Sequence, residues 1–224
     1  MQPKYAAVEH PWIWSARFWA HEPQTDIALL ERGFAVVYCD VAELFGNSEA
    51  IDAGNKFYQL LHNAALNKKV VLEGMSRGAV CAFNRAAENP GSLACVYIDN
   101  PVLDLKMWPA GLGKYPPSTD ELKMFKTDFN LKTDEDIKNF HGSPIDKVEA
   151  IAKGNYPILI LSADADEAVN PEENALLFQQ KMKTLNAPVE IIHKPGFKHH
   201  PHSLPNPTRI GDFIIQYAGQ VHAK

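Results

Sequence analysis

Short apolar runs recur along the chain, and they are nearly continuous in hydrophobicity rather than alternating with polar residues. Such runs are typical of strands buried on both faces of a parallel sheet. The sequence predicts five strands, at residues 34–38, 70–72, 94–98, 158–161 and 189–192. Apolar residues at helical spacing predict intervening helices at residues 25–32, 78–88, 172–185 and 207–217. This alternation predicts an α/β fold with a doubly wound, mostly parallel sheet and helices on both faces.

One segment interrupts the alternation. Residues 101–156 contain several prolines and glycines and only two short polar helical patterns, at 118–128 and 133–140. About fifty residues between two strands is more than a simple crossover needs. We therefore predict a single domain over residues 1–224, in which residues 101–156 form a small helical insertion or cap at the carboxyl edge of the sheet. Ahead of the first helix there is room for only a short edge strand, at residues 5–8, so the N-terminal strands are expected to be reduced.

Composition excludes several kinds of protein. The 224 residues are 46% hydrophobic and 22% charged, as in globular proteins that bury a core. The net charge is −5 with no basic cluster, which argues against nucleic acid as a partner. No apolar run approaches the roughly 18 residues that cross a bilayer, so we expect no membrane segment. We expect a cytoplasmic protein if the chain is complete and a secreted one if a signal peptide has been removed; the oligomeric state stays open.

The cysteines give a weaker indication. Cys39, Cys81 and Cys95 are an odd number, and each lies in an apolar stretch. We expect them to be reduced and buried rather than paired in disulfides.

A G-x-S-x-G motif connects the second predicted strand to the next helix. The sequence at 74–78 is Gly-Met-Ser-Arg-Gly. In a strand–turn–helix context the two glycines allow close backbone contact, and the central serine is exposed at the tip of the turn. This pattern predicts a nucleophile elbow with Ser76 as the nucleophile.

A serine nucleophile needs a base, and the base needs an acid to hold its tautomer. The acid should follow a later strand and the histidine the strand after that. Asp164 and Asp166 follow the strand at 158–161, whereas His199 and His200 follow the strand at 189–192. The chain order of serine, acid and histidine is therefore present, with two candidates for each of the last two positions.

The elbow, the acid loop DADEAVNPEEN and the histidine loop KPGFKHHPHSL together resemble the α/β-hydrolase family, in its serine esterase and prolyl-oligopeptidase-like branch. In similar loops the acid stands three residues before a valine, which selects Asp166 ahead of Asp164. Some members place the acid after the preceding strand, which makes Asp99 a further alternative. The resemblance favours His199 as the base, with His200 next.

The same resemblance implies an oxyanion hole of two backbone N–H groups. One belongs to Arg77, the residue after the nucleophile. The second should come from a loop ahead of the first helix; the tryptophan-rich stretch at 10–19 is the candidate for that loop, and we assign the donor to Trp12. Trp14 is expected to form an apolar wall for substrate. Arg17 is expected to orient an anionic or sugar-like substrate, with a surface salt bridge as the alternative.

The predicted function is that of a serine hydrolase which cleaves a carboxylic ester through a Ser76–His199–Asp166 triad and an acyl-enzyme. The substrate is expected to be a small molecule, with an acyl ester on a carbohydrate as one candidate. The alternatives are a non-catalytic binding module, a peptidase and a metal-dependent hydrolase. A zinc site of His199, His200 and His202 is the rival interpretation of the histidine loop, but it lacks the H-E-x-x-H or Cys-His spacing. We expect no cofactor and no metal.

Overall fold

Six parallel strands form the central sheet of this computed structural model, which describes residues 10–41, 43–64, 66–187 and 189–219. The spatial order of the strands is β2-β1-β3-β4-β5-β6. The predicted α/β fold with a mostly parallel sheet is confirmed, whereas the edge strand predicted at 5–8 lies outside the described residues. The strands are β1 (Trp12–Ser15), β2 (Ala35–Tyr38), β3 (Val70–Met75), β4 (Leu93–Asp99), β5 (Ile158–Ala163) and β6 (Val189–Lys194).

Helices connect the strands and cover both faces of the sheet. The longest, α2, was not predicted; Asn47 caps its first turn by accepting a hydrogen bond from the Ala50 N–H. Short 3₁₀ helices lie at Pro90–Ser92, Pro144–Asp146 and Pro171–Glu173. The α-helices are α1 (Gln24–Leu30), α2 (Ser48–Asn63), α3 (Gly78–Glu88), α4 (Thr119–Asp128), α5 (Asp134–Lys138), α6 (Val148–Lys153), α7 (Ala175–Thr184) and α8 (Thr208–Ala218).

The tryptophan-rich stretch is a strand, where the sequence analysis expected a loop. All four residues of β1 are buried, and β1 lies between β2 and β3. Trp12 and Trp14 face the core on one side of the sheet, and Ile13 faces the core on the other. A short run buried on both faces satisfies the pattern of a parallel strand, and large aromatic side chains favour that conformation.

The two faces of the sheet bury two separate cores. The larger core packs α2, α3, α6 and α7 against alternate strand residues, with Phe83 and Phe178 in ring contact at 4.8 Å. The smaller core packs α1 and α8 against the other face through Leu29, Ile210 and Ile214. Burial from both sides fixes the sheet, so the loops at its carboxyl end start from well-defined positions.

Residues 101–156 contain α4, α5 and α6 between β4 and β5. Phe125 of α4 is fully buried in a third apolar cluster, where its ring centroid lies 6.3 Å from that of Phe45 and 5.0 Å from that of Phe140. This cluster joins the segment to the loop that follows β2. The segment therefore has an apolar attachment of its own to the rest of the molecule.

Two further expectations from the sequence concern the cysteines and membrane-spanning helices. Cys81 and Cys95 are buried free thiols, while Cys39 is free and only half-buried. Burial raises the pKa of the Cys81 thiol to about 12, which keeps it protonated at neutral pH. In the part of the chain that the structure describes, no helix combines the length and apolar character needed to cross a membrane.

Candidate active site

The turn between β3 and α3 presents Ser76 at the carboxyl end of the sheet. Ser76 has a φ of 49°, in the left-handed region that L-residues seldom occupy. A Cβ on Gly74 would lie 2.8 Å from the Ala79 nitrogen, and one on Gly78 would lie 3.1 Å from the Arg17 Cβ. Glycine at both positions therefore permits the close contact of strand, helix and neighbouring loop. This is the geometry expected of a nucleophile elbow.

Ser76, His199 and Asp166 form a continuous hydrogen-bonded chain. The Ser76 Oγ lies 2.9 Å from His199 Nε2, and His199 Nδ1 lies 2.7 Å from Asp166 Oδ2. The Asp166 side chain is almost completely buried and that of His199 largely so. Among the sequence candidates, these three are the residues that the structure brings together in the order nucleophile, base and acid.

The acid loop holds the Asp166 carboxylate in one orientation. Asp166 Oδ1 accepts hydrogen bonds from the Ala168 and Val169 N–H groups, both at 2.8 Å. Tyr115, from the 101–156 segment, donates its hydroxyl to the Asp166 carbonyl at 2.7 Å. One carboxylate oxygen is thus occupied by the backbone, and the other is left for His199.

The alternative acid Asp164 lies in the same loop but has a different partner. Its Oδ1 is 2.9 Å from His193 Nδ1, and both side chains are about half-exposed. This pair makes no contact with Ser76. Asp164 and His193 therefore form a separate, partly exposed hydrogen-bonded pair.

Asp99, the third candidate acid, lies at the end of β4 and is buried beneath the histidine loop. Asp99 Oδ1 accepts a hydrogen bond from Lys194 Nζ at 2.8 Å, and both side chains are almost completely inaccessible to solvent. Asp99 Oδ2 accepts from the Ser203 N–H, and Lys194 also donates to the Pro201 carbonyl at 3.1 Å. Asp99 thus anchors the loop that carries His199, and it is not the partner of the His199 ring.

Asn100 provides a second anchor for the same loop. Its Nδ2 donates to the His199 carbonyl at 2.7 Å, and its Oδ1 accepts from the Ala163 N–H at 2.8 Å. The side chain is 3% exposed, so water competes little for these bonds. Asn100 therefore connects the ends of β4 and β5 directly to the backbone of the proposed base.

Two predicted roles in the tryptophan stretch are wrong. In the register of β1 and β3, Ser15 pairs with Glu73. Trp12 lies three residues before Ser15, whereas Ser76 lies three residues after Glu73. Six steps along parallel strands place the Trp12 amide about 20 Å from Ser76, too far for an oxyanion donor. Trp14 is also buried, with its ring centroid 5.2 Å from that of Phe57, so it cannot form a substrate wall.

The segment after β1 nevertheless lies beside the elbow. The Ala16 N–H is occupied by the Glu73 carbonyl at 2.9 Å, and the Arg17 backbone packs against Gly78. The segment after β1 therefore packs against the first residue of α3, two positions after Ser76. Arg77, the other predicted oxyanion donor, is the N-cap residue of α3, where backbone N–H groups point out of the helix.

The Arg17 side chain is held in an ion-pair cluster. Its Nη1 lies 2.9 Å from Glu43 Oε1, and Arg77 Nη2 lies 3.0 Å from the same oxygen. Arg77 Nη1 lies 2.6 Å from Glu121 Oε2 of α4, and its guanidinium stacks over the Phe45 ring at 4.7 Å. The salt-bridge alternative for Arg17 is thus present, and its role toward substrate stays a prediction.

Two buried carboxyl groups lie behind the elbow, on the α1 side of the sheet. Burial and the neighbouring Asp26 raise the pKa of Glu73 well above its ordinary value. Burial also raises the pKa of Asp26, an effect that a hydrogen bond with Glu73 opposes. Both carboxyl groups are therefore shifted toward their protonated forms.

Known structures share this arrangement of strands and helices over nearly the whole chain. An acylaminoacyl peptidase from Pyrococcus horikoshii superposes with a TM-score of 0.70 at 14% identity, covering 98% of this chain and 39% of that protein. A puromycin-hydrolyzing peptidase from Mycobacterium tuberculosis gives 0.69 at 12% identity, covering 94% and 35%. A sugar hydrolase from Lactococcus lactis gives 0.67 at 18% identity, covering 93% and 89%. The chain has the α/β-hydrolase fold.

The similarity is structural. No protein-family model matches the sequence, and no curated protein sequence matches it either. The chain spans only 35% and 39% of the two peptidases above, so it corresponds to one part of those larger proteins. The α/β-hydrolase fold itself is shown, and the activity must be argued from the site.

Some residues that shape the site were not identified from the sequence. Asn100 follows β4 directly, and a polar residue at the carboxyl end of a buried strand is a signal that could have indicated its role. Glu43 and Glu121 come from separate loop and helix positions, and no local pattern connects them to Arg77.

Proposed function

We propose that this chain is a serine hydrolase that cleaves carboxylic esters. The observation that supports it is the hydrogen-bonded chain Ser76 Oγ–His199 Nε2–His199 Nδ1–Asp166 Oδ2, with distances of 2.9 and 2.7 Å. A serine hydroxyl is a weak nucleophile until a neighbouring base takes its proton. The base must keep the tautomer with a proton on Nδ1, and a buried carboxylate hydrogen-bonded to that atom stabilises it.

The reaction follows from these contacts. His199 Nε2 takes the Ser76 proton as Oγ attacks the ester carbonyl, and Asp166 stabilises the imidazolium that forms. The tetrahedral oxyanion accepts hydrogen bonds from the Arg77 N–H and from an amide of the Arg17–Phe18 segment. His199 then protonates the departing alkoxide, which leaves as the alcohol. Water hydrolyses the acyl-Ser76 by the same steps in reverse, which regenerates the free hydroxyl.

A carbohydrate acyl ester is the substrate class that we propose first. The Lactococcus lactis protein described as a sugar hydrolase is matched over 89% of its length, far more than the peptidases. The exposed rim of the site also carries hydrogen-bonding groups, among them Glu43 and His200. Such groups suit a hydroxyl-rich alcohol better than an aliphatic one.

Ser76→Ala tests the nucleophile directly. We expect this variant to lose several orders of magnitude in kcat on p-nitrophenyl acetate, because the members of a triad act as a unit. Ser118→Ala is the matched control, since Ser118 precedes α4 without a side-chain capping bond. A fluorophosphonate probe should label the wild type at Ser76. Unlabelled, folded wild-type protein would favour a non-catalytic binding module and end the proposal.

Peptidase activity is the second candidate, because four of the similar solved structures are peptidases. The same triad could attack an amide, with His199 protonating the departing amine. Comparing an acetylated sugar with an aminoacyl anilide separates the two candidates. Turnover of the anilide with no turnover of any ester would contradict the ester assignment while keeping the serine mechanism.

A further inference from the structure

A second group of ligating side chains lies at the rim of the site, where the segment after β1 meets the histidine loop. Glu22 Oε2 is 3.4 Å from His21 Nε2 and 3.6 Å from His200 Nδ1. The same oxygen accepts the His202 N–H at 2.5 Å, which fixes the carboxylate to the histidine loop. One ligating atom from each of His21, Glu22 and His200 lies within 4.8 Å of the other two.

These separations are close to those of a tetrahedral zinc site. With zinc–nitrogen and zinc–oxygen distances of about 2.0–2.2 Å, neighbouring ligand atoms in a tetrahedron lie about 3.3–3.6 Å apart. Both contacts to Glu22 Oε2 already have this length. The remaining separation, between the two imidazoles, can shorten by side-chain rotation because the His21 and His200 side chains are about half-exposed.

We propose that His21, Glu22 and His200 bind a Zn²⁺ ion beside the hydrogen-bonded chain of Ser76, His199 and Asp166. Two imidazoles and one carboxylate are a ligand set that zinc uses, with a fourth position left for water. Magnesium and calcium prefer all-oxygen sites, so they fit this set poorly.

A buried histidine packs beside this group. His202 is 1% exposed, and within the described chain neither of its ring nitrogens makes a hydrogen bond. Its Nδ1 lies 3.4 Å from Asp99 Oδ1, and its ring centroid is 4.8 Å from that of His200 and 6.2 Å from that of His21. The His202 ring therefore lines the buried side of the group and supports the orientation of both neighbouring imidazoles.

From the sequence we expect no metal, and the candidate ligand set there is His199, His200 and His202. That set is also compact, with one ligating atom from each within 4.8 Å of the others. It would require the catalytic base as a ligand and would therefore block the reaction. The rim set leaves His199 bonded to Ser76 and Asp166. It could not be recognised from the sequence because Glu22 reaches the histidine loop only through the fold, by accepting the N–H of His202, which is 180 residues away.

Calorimetric titration of the metal-stripped full chain with ZnCl₂ near pH 7.5 tests the site. We expect one ion per chain with micromolar affinity, and a loss of about tenfold or more in His21→Gln and in Glu22→Gln. His193→Gln is the matched control, because His193 is a half-exposed histidine beside a carboxylate, outside the cluster. The control should bind zinc within twofold of the wild type. Thermal unfolding of each variant without zinc checks that the fold is retained.

Two results would overturn the zinc site: no saturable binding by the wild type, or wild-type affinity in both His21→Gln and Glu22→Gln. Wild-type affinity in both variants would indicate that the ion binds the set of His199, His200 and His202 instead. The outcome is separate from the proposed hydrolase activity. A chain that binds no zinc but reacts with fluorophosphonate loses only this site, and one that binds zinc but resists the probe loses only the hydrolase function.

Discussion

Asp166→Asn separates the chemical role of the acid from its structural role. The asparagine carbonyl can still accept the Ala168 and Val169 N–H bonds, both 2.8 Å in the native loop. Its NH₂ group then faces His199 Nδ1 in place of Asp166 Oδ2. His199 Nδ1 must now accept a hydrogen bond from this NH₂ group. The ring proton therefore moves to His199 Nε2, which lies 2.9 Å from Ser76 Oγ. A protonated Nε2 cannot take the serine proton.

The expected loss in kcat is about 10⁴-fold, which corresponds to about 5.5 kcal/mol of activation free energy. The assay is steady-state hydrolysis of a p-nitrophenyl ester at pH 7.5, with urea unfolding to show that stability is preserved. Asp164→Asn is the matched control, because it makes the same change in the same loop at the carboxylate that pairs with His193. A variant at Asp166 that keeps more than a tenth of the activity, or an equal loss at Asp164, would refute the assignment.

Two further predictions concern Asn100, which anchors the histidine loop, and Glu73, which is buried behind the elbow. Asn100→Ala should lower kcat by about 10²-fold, because the His199 backbone loses its anchor. Asn100→Asp keeps the acceptor for the Ala163 N–H but loses the donor to the His199 carbonyl, so it separates these two contacts. A kcat within twofold of wild type in both variants would contradict the anchoring role of Asn100. Glu73→Gln should stabilise the fold at pH 8 by about 1–3 kcal/mol in urea unfolding. The reason is that the native state holds a proton at Glu73 that the unfolded chain releases. Wild-type stability therefore falls as the pH rises above the ordinary glutamate pKa. The gain should be smaller at pH 5, and an equal effect at both pH values would show that Glu73 is not protonated in the fold.

The hydrophobic pattern predicted most of the sheet because buried parallel strands have a local signature. Five strands were located correctly, although several extend further than the apolar run, as β3 does to Met75. The extension carries the chain into the elbow. β1 was missed because its closely spaced tryptophans also suit a binding loop. Burial on both faces distinguishes a strand from a loop here, and that burial depends on neighbours distant in sequence.

The structure brings together residues that chemistry and chain order had singled out. Ser76 was predicted from a motif, and Asp166 and His199 from a family resemblance together with their positions after β5 and β6. The oxyanion assignment to Trp12 failed because it depended on where β1 ends. The anchors of the histidine loop, Asp99 and Asn100, were not predicted as such, since their roles come from contacts with residues about a hundred positions away.

The nucleophile and its base are 123 residues apart in the chain, and β6 delivers the base at the edge of the sheet. During synthesis the elbow therefore leaves the ribosome long before His199 exists, and contacts this distant form late because closing a long loop is entropically costly. A nascent chain can thus contain a folded elbow while Ser76 still lacks its proposed base. Under the proposed mechanism, Ser76 becomes reactive only when the last strand docks. We therefore expect an unfinished or C-terminally truncated product to be inactive even if most of its sheet has formed.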